Sequence, residues 1–190
     1  MAVPQAFQDF VAALRALHAA KLPDEAHWAR VAELLGGLLC DAAFRDHSRG
    51  WPVCGYENLV LHQDTDHGFV VNGLVRGAHH TSPPHDHAHT WTVYGILDGI
   101  ETITKFARAD DGRNQDRAEL RQVETFDARP GDVHVLAPGL IHTETNGEGR
   151  VVAIVVRSDK IGEVPQNAFD PATGAIRRIT GPKQVPYQLG

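Results

Sequence analysis

Twelve histidines occur in 190 residues, and seven of them fall between His62 and His89. Neutral imidazole is the commonest metal ligand in proteins, so such enrichment suits a metal site, although a polar loop can show it too. Spacing separates the two. In Pro83-Pro84-His85-Asp86-His87 two histidines stand two residues apart. On an extended strand that spacing turns both rings to one face, with Asp86 pointing away as an outer-sphere or surface group. Alone the pattern is weak. A second one follows downstream: Gly131-Asp132, then Pro138-Gly139, then His142 and Asn146. It reads as a turn, a strand, a second turn and a histidine on the strand that leaves it. Three imidazoles on one side of an ion leave coordination positions open, as catalysis requires, whereas structural zinc takes a closed tetrahedral site.

The remaining histidines fit this scheme less well. His89 follows the bend after the first pair and is expected at the pocket entrance. His134 lies within the strand before the Pro-Gly turn and is expected to pack or hydrogen-bond. His79 and His80 are adjacent, so they cannot share a strand face and read as loop residues.

The elements that must position these groups can be read from periodicity. Residues 5–20 place Phe7, Phe10, Val11, Leu14 and Leu17 on one helical face. A second helix is expected from Pro23 to just before Arg49-Gly50-Trp51-Pro52, with Trp28, Val31, Leu34, Leu35, Leu38 and Leu39 as its apolar face. Beyond residue 55 the pattern changes to short β-prone runs: 57–62, 68–76, 91–97, 99–106, 123–127, 132–136 and 151–157. Asp98-Gly99 marks a tight turn. The tail from Pro165 reads as an extended wrap. These features predict a mainly β small barrel, residues 51–190, carrying a two-helix extension over residues 1–50, as one domain.

Composition narrows the partners. A net charge of −6 and a pI near 6.0 argue against nucleic acid or an anionic membrane surface. No apolar run is long enough to span a bilayer and no secretory signal is evident, so a cytoplasmic location is expected. Cys40 and Cys54 lack metal-finger spacing and read as reduced thiols.

The two histidine patterns resemble the two motifs of the cupin family, with His85-Asp86-His87 and Gly99 in the first and Gly131, Pro138-Gly139, His142 and Asn146 in the second. The resemblance covers roughly residues 55–157. It implies a double-stranded β-helix with His85, His87 and His142 binding one divalent metal in the barrel mouth. Most cupins add a glutamate four or five residues after the second histidine; Trp91 and Thr92 stand there, so a three-histidine set without a carboxylate is implied, with Glu101 as a solvated or outer-sphere group or a less favoured fourth ligand.

Within cupins the chain resembles the cysteine dioxygenase-type thiol dioxygenases, which implies iron(II), dioxygen and a small polar substrate. Zinc, nickel or manganese could occupy the same site. Thr92 stands where eukaryotic members carry a cross-linking cysteine. Ala153, Val155 and Arg157 stand in place of a Ser–His–Tyr relay, and Glu57 in place of the carboxylate-binding arginine. These replacements imply a substrate other than cysteine, with Tyr94, Arg157 and Glu57 as candidate catalytic residues and a Glu57–Arg157 pair as the polar anchor. Other readings share the ligands: cleavage of a diketone, a metal-dependent isomerase or lyase, or a non-catalytic sensor or storage cupin. A monomer or homodimer is expected.

Overall fold

The computed structural model describes residues 2–55, 57–159 and 164–190. Three helices come first: α1 (Gln5–Ala19), α2 (Asp24–Leu39) and α3 (Ala42–Ser48). Eleven strands follow among the described residues. They are β1 (Glu57–Gln63), β2 (Val70–Arg76), β3 (Thr92–Asp98), β4 (Glu101–Arg108), β5 (Leu120–Ala128) and β6 (Val133–Leu136), then β7 (Ile141–Asn146), β8 (Val151–Arg157), β9 (Gln166–Phe169), β10 (Ile176–Ile179) and β11 (Lys183–Pro186).

The second helix does not run to Arg49 as its apolar pattern suggests. It stops at Cys40, and the Asp41 carboxylate accepts the Phe44 N–H at 2.7 Å to start α3. A short acidic side chain at this position satisfies one of the free N–H groups at a helix start, which makes a new helix cheaper than continuing the old one.

One sheet has the order β11-β1-β2-β8-β3-β6, and a smaller one has β5-β4-β7. Strand β8 lies between β2 and β3 and is buried along its whole length. Its alternation feeds two cores. Val152, Ile154 and Val156 meet α1 and α2 through Phe10, Leu14, Val31 and Leu35. Ala153 and Val155 turn the other way, toward Tyr94, Ile96, Ile103 and Ala128 between the sheets. A fully buried aliphatic side chain contributes roughly 1.5–3 kcal/mol, so both faces of this strand hold the molecule together. Gly95 on β3 is what admits the helices closely: a Cβ there would stand 2.7 Å from Leu39 Cδ1.

Two sheets enclosing a shared interior, with helices on the outer face, make the mainly β cupin architecture that the sequence implies. The tail does more than wrap. It pairs β9 with β10 as a hairpin and adds β11 parallel to β1. The expected Asp98-Gly99 turn is present, with Gly99 at φ +83° against the backbone of Arg150 and Val151.

At Gly99 a side chain would meet both a left-handed backbone and the Arg150 carbonyl oxygen, with Val151 Cα 3.0 Å away. Gly99→Ala should therefore cost about 1–3 kcal/mol of stability, the usual range for a residue forced into such a conformation. Urea unfolding of the two proteins measures it, and a midpoint shift equivalent to under ~0.5 kcal/mol would refute the steric account.

Candidate metal centre

The His85–His87 segment is not a regular strand, contrary to the sequence reading. Pro83 and Pro84 supply no N–H, and Ala88 takes φ +51°. Only His85 bridges neighbouring strands: it exchanges both backbone hydrogen bonds with His142 at 2.9 Å and also bridges Ala168. The backbone remains extended enough for both rings to face the same side. Asp86 turns away, and it is buried. Its carboxylate accepts N–H groups from the Asn167 backbone at 3.0 Å, the Asn167 amide at 2.8 Å and Ala88 at 3.1 Å, which ties the segment to β9.

The three imidazoles converge. Their ring centroids are 5.1 Å (His85–His87), 4.5 Å (His85–His142) and 5.0 Å (His87–His142) apart, and one nitrogen from each lies within 4.8 Å of the others. Each Nδ1 already faces an oxygen: Pro83 O at 3.0 Å for His85, Thr92 Oγ1 at 3.0 Å for His87 and Leu140 O at 3.2 Å for His142. That arrangement favours a proton on Nδ1 and leaves Nε2 with its lone pair. The Nε2 of His142 is buried and has no hydrogen-bond partner; Glu144 Oε1 is 3.2 Å away but out of line for one. Burial lowers the pKa of His85 to about 4 and that of His87 well below the ordinary value, the latter reinforced by the Arg157 charge. Convergent imidazoles, buried at His87 and His142 and half-buried at His85, with an unpartnered nitrogen on His142, fit a divalent cation.

Sequence reasoning missed the carboxylate beside this trio. Glu144 stands two residues after His142 on β7, so strand alternation puts both on one face. Burial alone would raise its pKa, but the facing His142 and His85 rings and the Ser82 hydroxyl outweigh that and hold it well below the usual carboxylate range. Ser82 Oγ donates to Glu144 Oε2 at 2.5 Å and accepts the Glu144 N–H at 3.0 Å.

Tyr94 and Arg157 both face the cavity, which has a volume of ≈ 50 Å³ and is closed at one side by the tail residues Gln166, Ile179 and Pro182. Tyr94 donates its hydroxyl to Glu101 Oε2 at 2.5 Å, so Glu101 is neither solvated nor among the three convergent donors. Burial, with Glu144 nearby, pushes the Glu101 carboxyl up to about 8. Arg157 is 3% exposed, and its Nη1 is 3.4 Å from His87 Nε2.

Glu57 is elsewhere. Its carboxylate pairs with Lys183 Nζ at 3.2 Å on the partly exposed β1–β11 edge, so the expected Glu57–Arg157 anchor does not form. The phase of β1 explains this: Asn58, fully buried, is the residue that faces the cavity. His89 is exposed, 3.7 Å from Asp159, and His134 packs on the Phe126 ring at 4.8 Å. Cys40 and Cys54 are both free.

No family model matches the sequence. Among solved structures, the chain is similar to recombinant oxalate oxidase in complex with glycolate, at 22% identity over 48% of this chain and 42% of that one, with a TM-score of 0.39. It is similar to the cupin domain of Schizosaccharomyces pombe Cnp3, at 16% identity over 54% and 64% of the two chains, with a TM-score of 0.42. A Klebsiella pneumoniae subsp. pneumoniae MGH 78578 protein with a double-stranded β-helix domain aligns at 14% identity over 70% and 88%, with a TM-score of 0.43. The alignments span about half the length of the oxalate oxidase chains or less. Likeness at this level says nothing of chemistry, which has to be argued from the site. No helix among the described residues is long and apolar enough to cross a membrane.

Two expectations follow. Thr92→Val removes the oxygen that orients His87, so metal affinity should fall by roughly 10-fold or more, as for other partners of metal-bound histidine. Competition against a chelator of known affinity measures it, and unchanged affinity would show that Thr92 does not orient the ring. For Glu101, the folded carboxyl keeps its proton up to about pH 8 while the unfolded one loses it near 4.5. The folded state therefore holds more protons between those values, and this group's contribution to stability is lost as pH rises through that window. Glu101→Gln, which carries no titrating proton, should gain stability relative to wild type as pH rises. Parallel unfolding curves at all pH values would rule this out.

Proposed function

We propose that this protein is a metal-dependent cupin enzyme, and specifically an iron(II) oxygenase that acts on a small polar substrate with dioxygen. The observation that carries the proposal is the set of three imidazoles, two buried and one half-buried, whose Nδ1 atoms are committed to oxygens while their other nitrogens converge. His85, His87 and His142 would hold the ion. Iron(II) suits such an open nitrogen set beside a carboxylate, and zinc, nickel or manganese remain alternative occupants on donor type alone. When bound, the ion supplies Lewis acidity and open positions for substrate and dioxygen.

The protein's own residues do the rest. Glu144 lies beside the trio, where its ionised carboxylate offsets cationic charge and can accept a proton at Oε1. Ser82 fixes its other oxygen. Tyr94 presents a phenol whose proton is engaged with Glu101, a carboxyl that stays protonated near neutral pH. The tail residues Gln166, Ile179 and Pro182 form one wall of the cavity. Arg157 supplies positive charge next to the imidazoles. The pocket lacks the arginine that the thiol dioxygenase resemblance implies on β1, so a substrate other than cysteine is expected.

Elemental analysis and oxygen uptake test this reading. His85→Ala, His87→Ala and His142→Ala should each lose most of the bound metal, whereas His134→Ala and Glu144→Gln should keep it. Glu144→Gln should lose turnover with metal still bound. Iron-loaded wild type should consume dioxygen in the presence of some member of a thiol and diketone panel. Metal retained in all three histidine variants would remove the ligand assignment. Turnover without oxygen uptake would point to a lyase or isomerase instead, and efficient oxidation of cysteine would overturn the substrate expectation.

A further inference from the structure

Two guanidiniums line the same cavity, and they are in opposite states. Arg76 is largely engaged: Nη1 donates to the carbonyls of Cys54 (3.2 Å) and Glu57 (2.6 Å), and Nη2 donates to Asn58 Oδ1 (2.5 Å). It ties β2 to the start of β1 and has little left to offer a ligand. Arg157 forms no ion pair among the described residues. Its Nε is buried without a hydrogen-bond partner, and its one polar contact is the long approach to His87 Nε2. On the reading above that nitrogen belongs to the ion, which leaves the guanidinium without an acceptor.

A second donor in the cavity is in the same condition. Because Arg76 must meet an oxygen, the Asn58 amide is fixed with Oδ1 toward it, and Nδ2 is left buried and unpartnered. Two other donors facing the cavity are committed, Tyr94 to Glu101 and Ser82 to Glu144. A buried guanidinium without a direct ion-pair partner is costly, and an unmet amide N–H adds to that cost. Both demands point to a ligand that is all acceptor and negatively charged.

We infer that Arg157 and Asn58 form a carboxylate subsite, so that the substrate is a short-chain organic acid with its reactive end at the three imidazoles. The inference rests on the metal-enzyme reading for where the reactive end lies, but the anion subsite itself does not require the metal. A guanidinium fork matches the planar, two-oxygen face of a carboxylate. The cavity volume of ≈ 50 Å³ holds only a few water-sized groups, at about 10–15 Å³ each, which favours a short chain.

The test is calorimetric titration of metal-free and zinc-loaded protein with propionate, propionamide and inorganic phosphate. Propionate should bind saturably to both forms, and propionamide, which is nearly isosteric but neutral and brings its own N–H donors, should bind at least ~10-fold more weakly. Arg157→Met should weaken propionate by at least ~10-fold with zinc content unchanged, and Asn58→Ala should weaken it by a smaller factor. Acid and amide binding within twofold of each other, phosphate preferred to propionate, or no propionate binding would each overturn the inference. If the arginine variant does not fold, the acid–amide pair on wild-type protein still decides. If no zinc is retained, the metal reading fails while the metal-free titration still answers for the subsite.

Discussion

Strand β8 is the constraint on which the rest depends. It sits between β2 and β3 with both faces buried, so its alternation cannot slip by a residue without exchanging two cores. Val152, Ile154 and Val156 must meet the helices, which fixes Ala153, Val155 and Arg157 on the inner face. Ala153 and Val155 are small enough to leave the mouth of the barrel open beyond them. Arg157, the last residue of that series, is thereby placed beside His87, and it stays inside because the backbone periodicity leaves its side chain no other face.

Packing on this scale forces polar groups into a low-dielectric interior, and the protein meets that cost in a different way for each. Arg76 is satisfied by carbonyls, which carry no charge of their own. Glu101 avoids ionisation by keeping its proton and accepts the Tyr94 hydroxyl. Glu144 ionises because imidazoles and the Ser82 hydroxyl face it. At His85 and His87 burial penalises the protonated forms. After these pairings the groups left over include imidazole nitrogens and the N–H donors of Arg157 and Asn58. A cation satisfies the first set and an anion the second.

The histidine trio was legible because its two halves are local patterns, each with a spacing that a strand or turn must respect. Thr92, Tyr94 and Ile96 share one strand parity, and all three are buried. Glu57 failed for want of phase: one residue of register separates it from Asn58, and the register of β1 is set by β2 and β11 rather than by its own sequence. Glu144 shares the strand parity of His142 and is legible from it, whereas the cupin pattern points only to the positions after His87. The break at Asp41 was also readable as a cap, yet the apolar face on either side hides it. The closure of the cavity by Gln166, Ile179 and Pro182 left no local trace, because it depends on pairings more than a hundred residues apart, such as Glu57 with Lys183.

That distant closure bears on the metal centre itself. His85 and His87 lie on an irregular segment that cannot hold its own geometry, since two prolines and a left-handed Ala88 interrupt any ladder. It is gripped from two sides instead. His142 on β7 exchanges two backbone bonds with His85, so one ligand positions another. On the opposite side the Asp86 N–H donates to Asn167 O at 3.0 Å while the Asp86 carboxylate accepts two N–H groups from Asn167, and Phe169 N donates to Pro84 O at 2.8 Å. The β9–β10 hairpin is therefore part of the scaffold that aims the imidazoles, as well as a wall of the cavity. A change that unpairs this hairpin would both open the pocket to water and release the His85–His87 segment, so ligand geometry and water exclusion are coupled through Asp86 and Asn167.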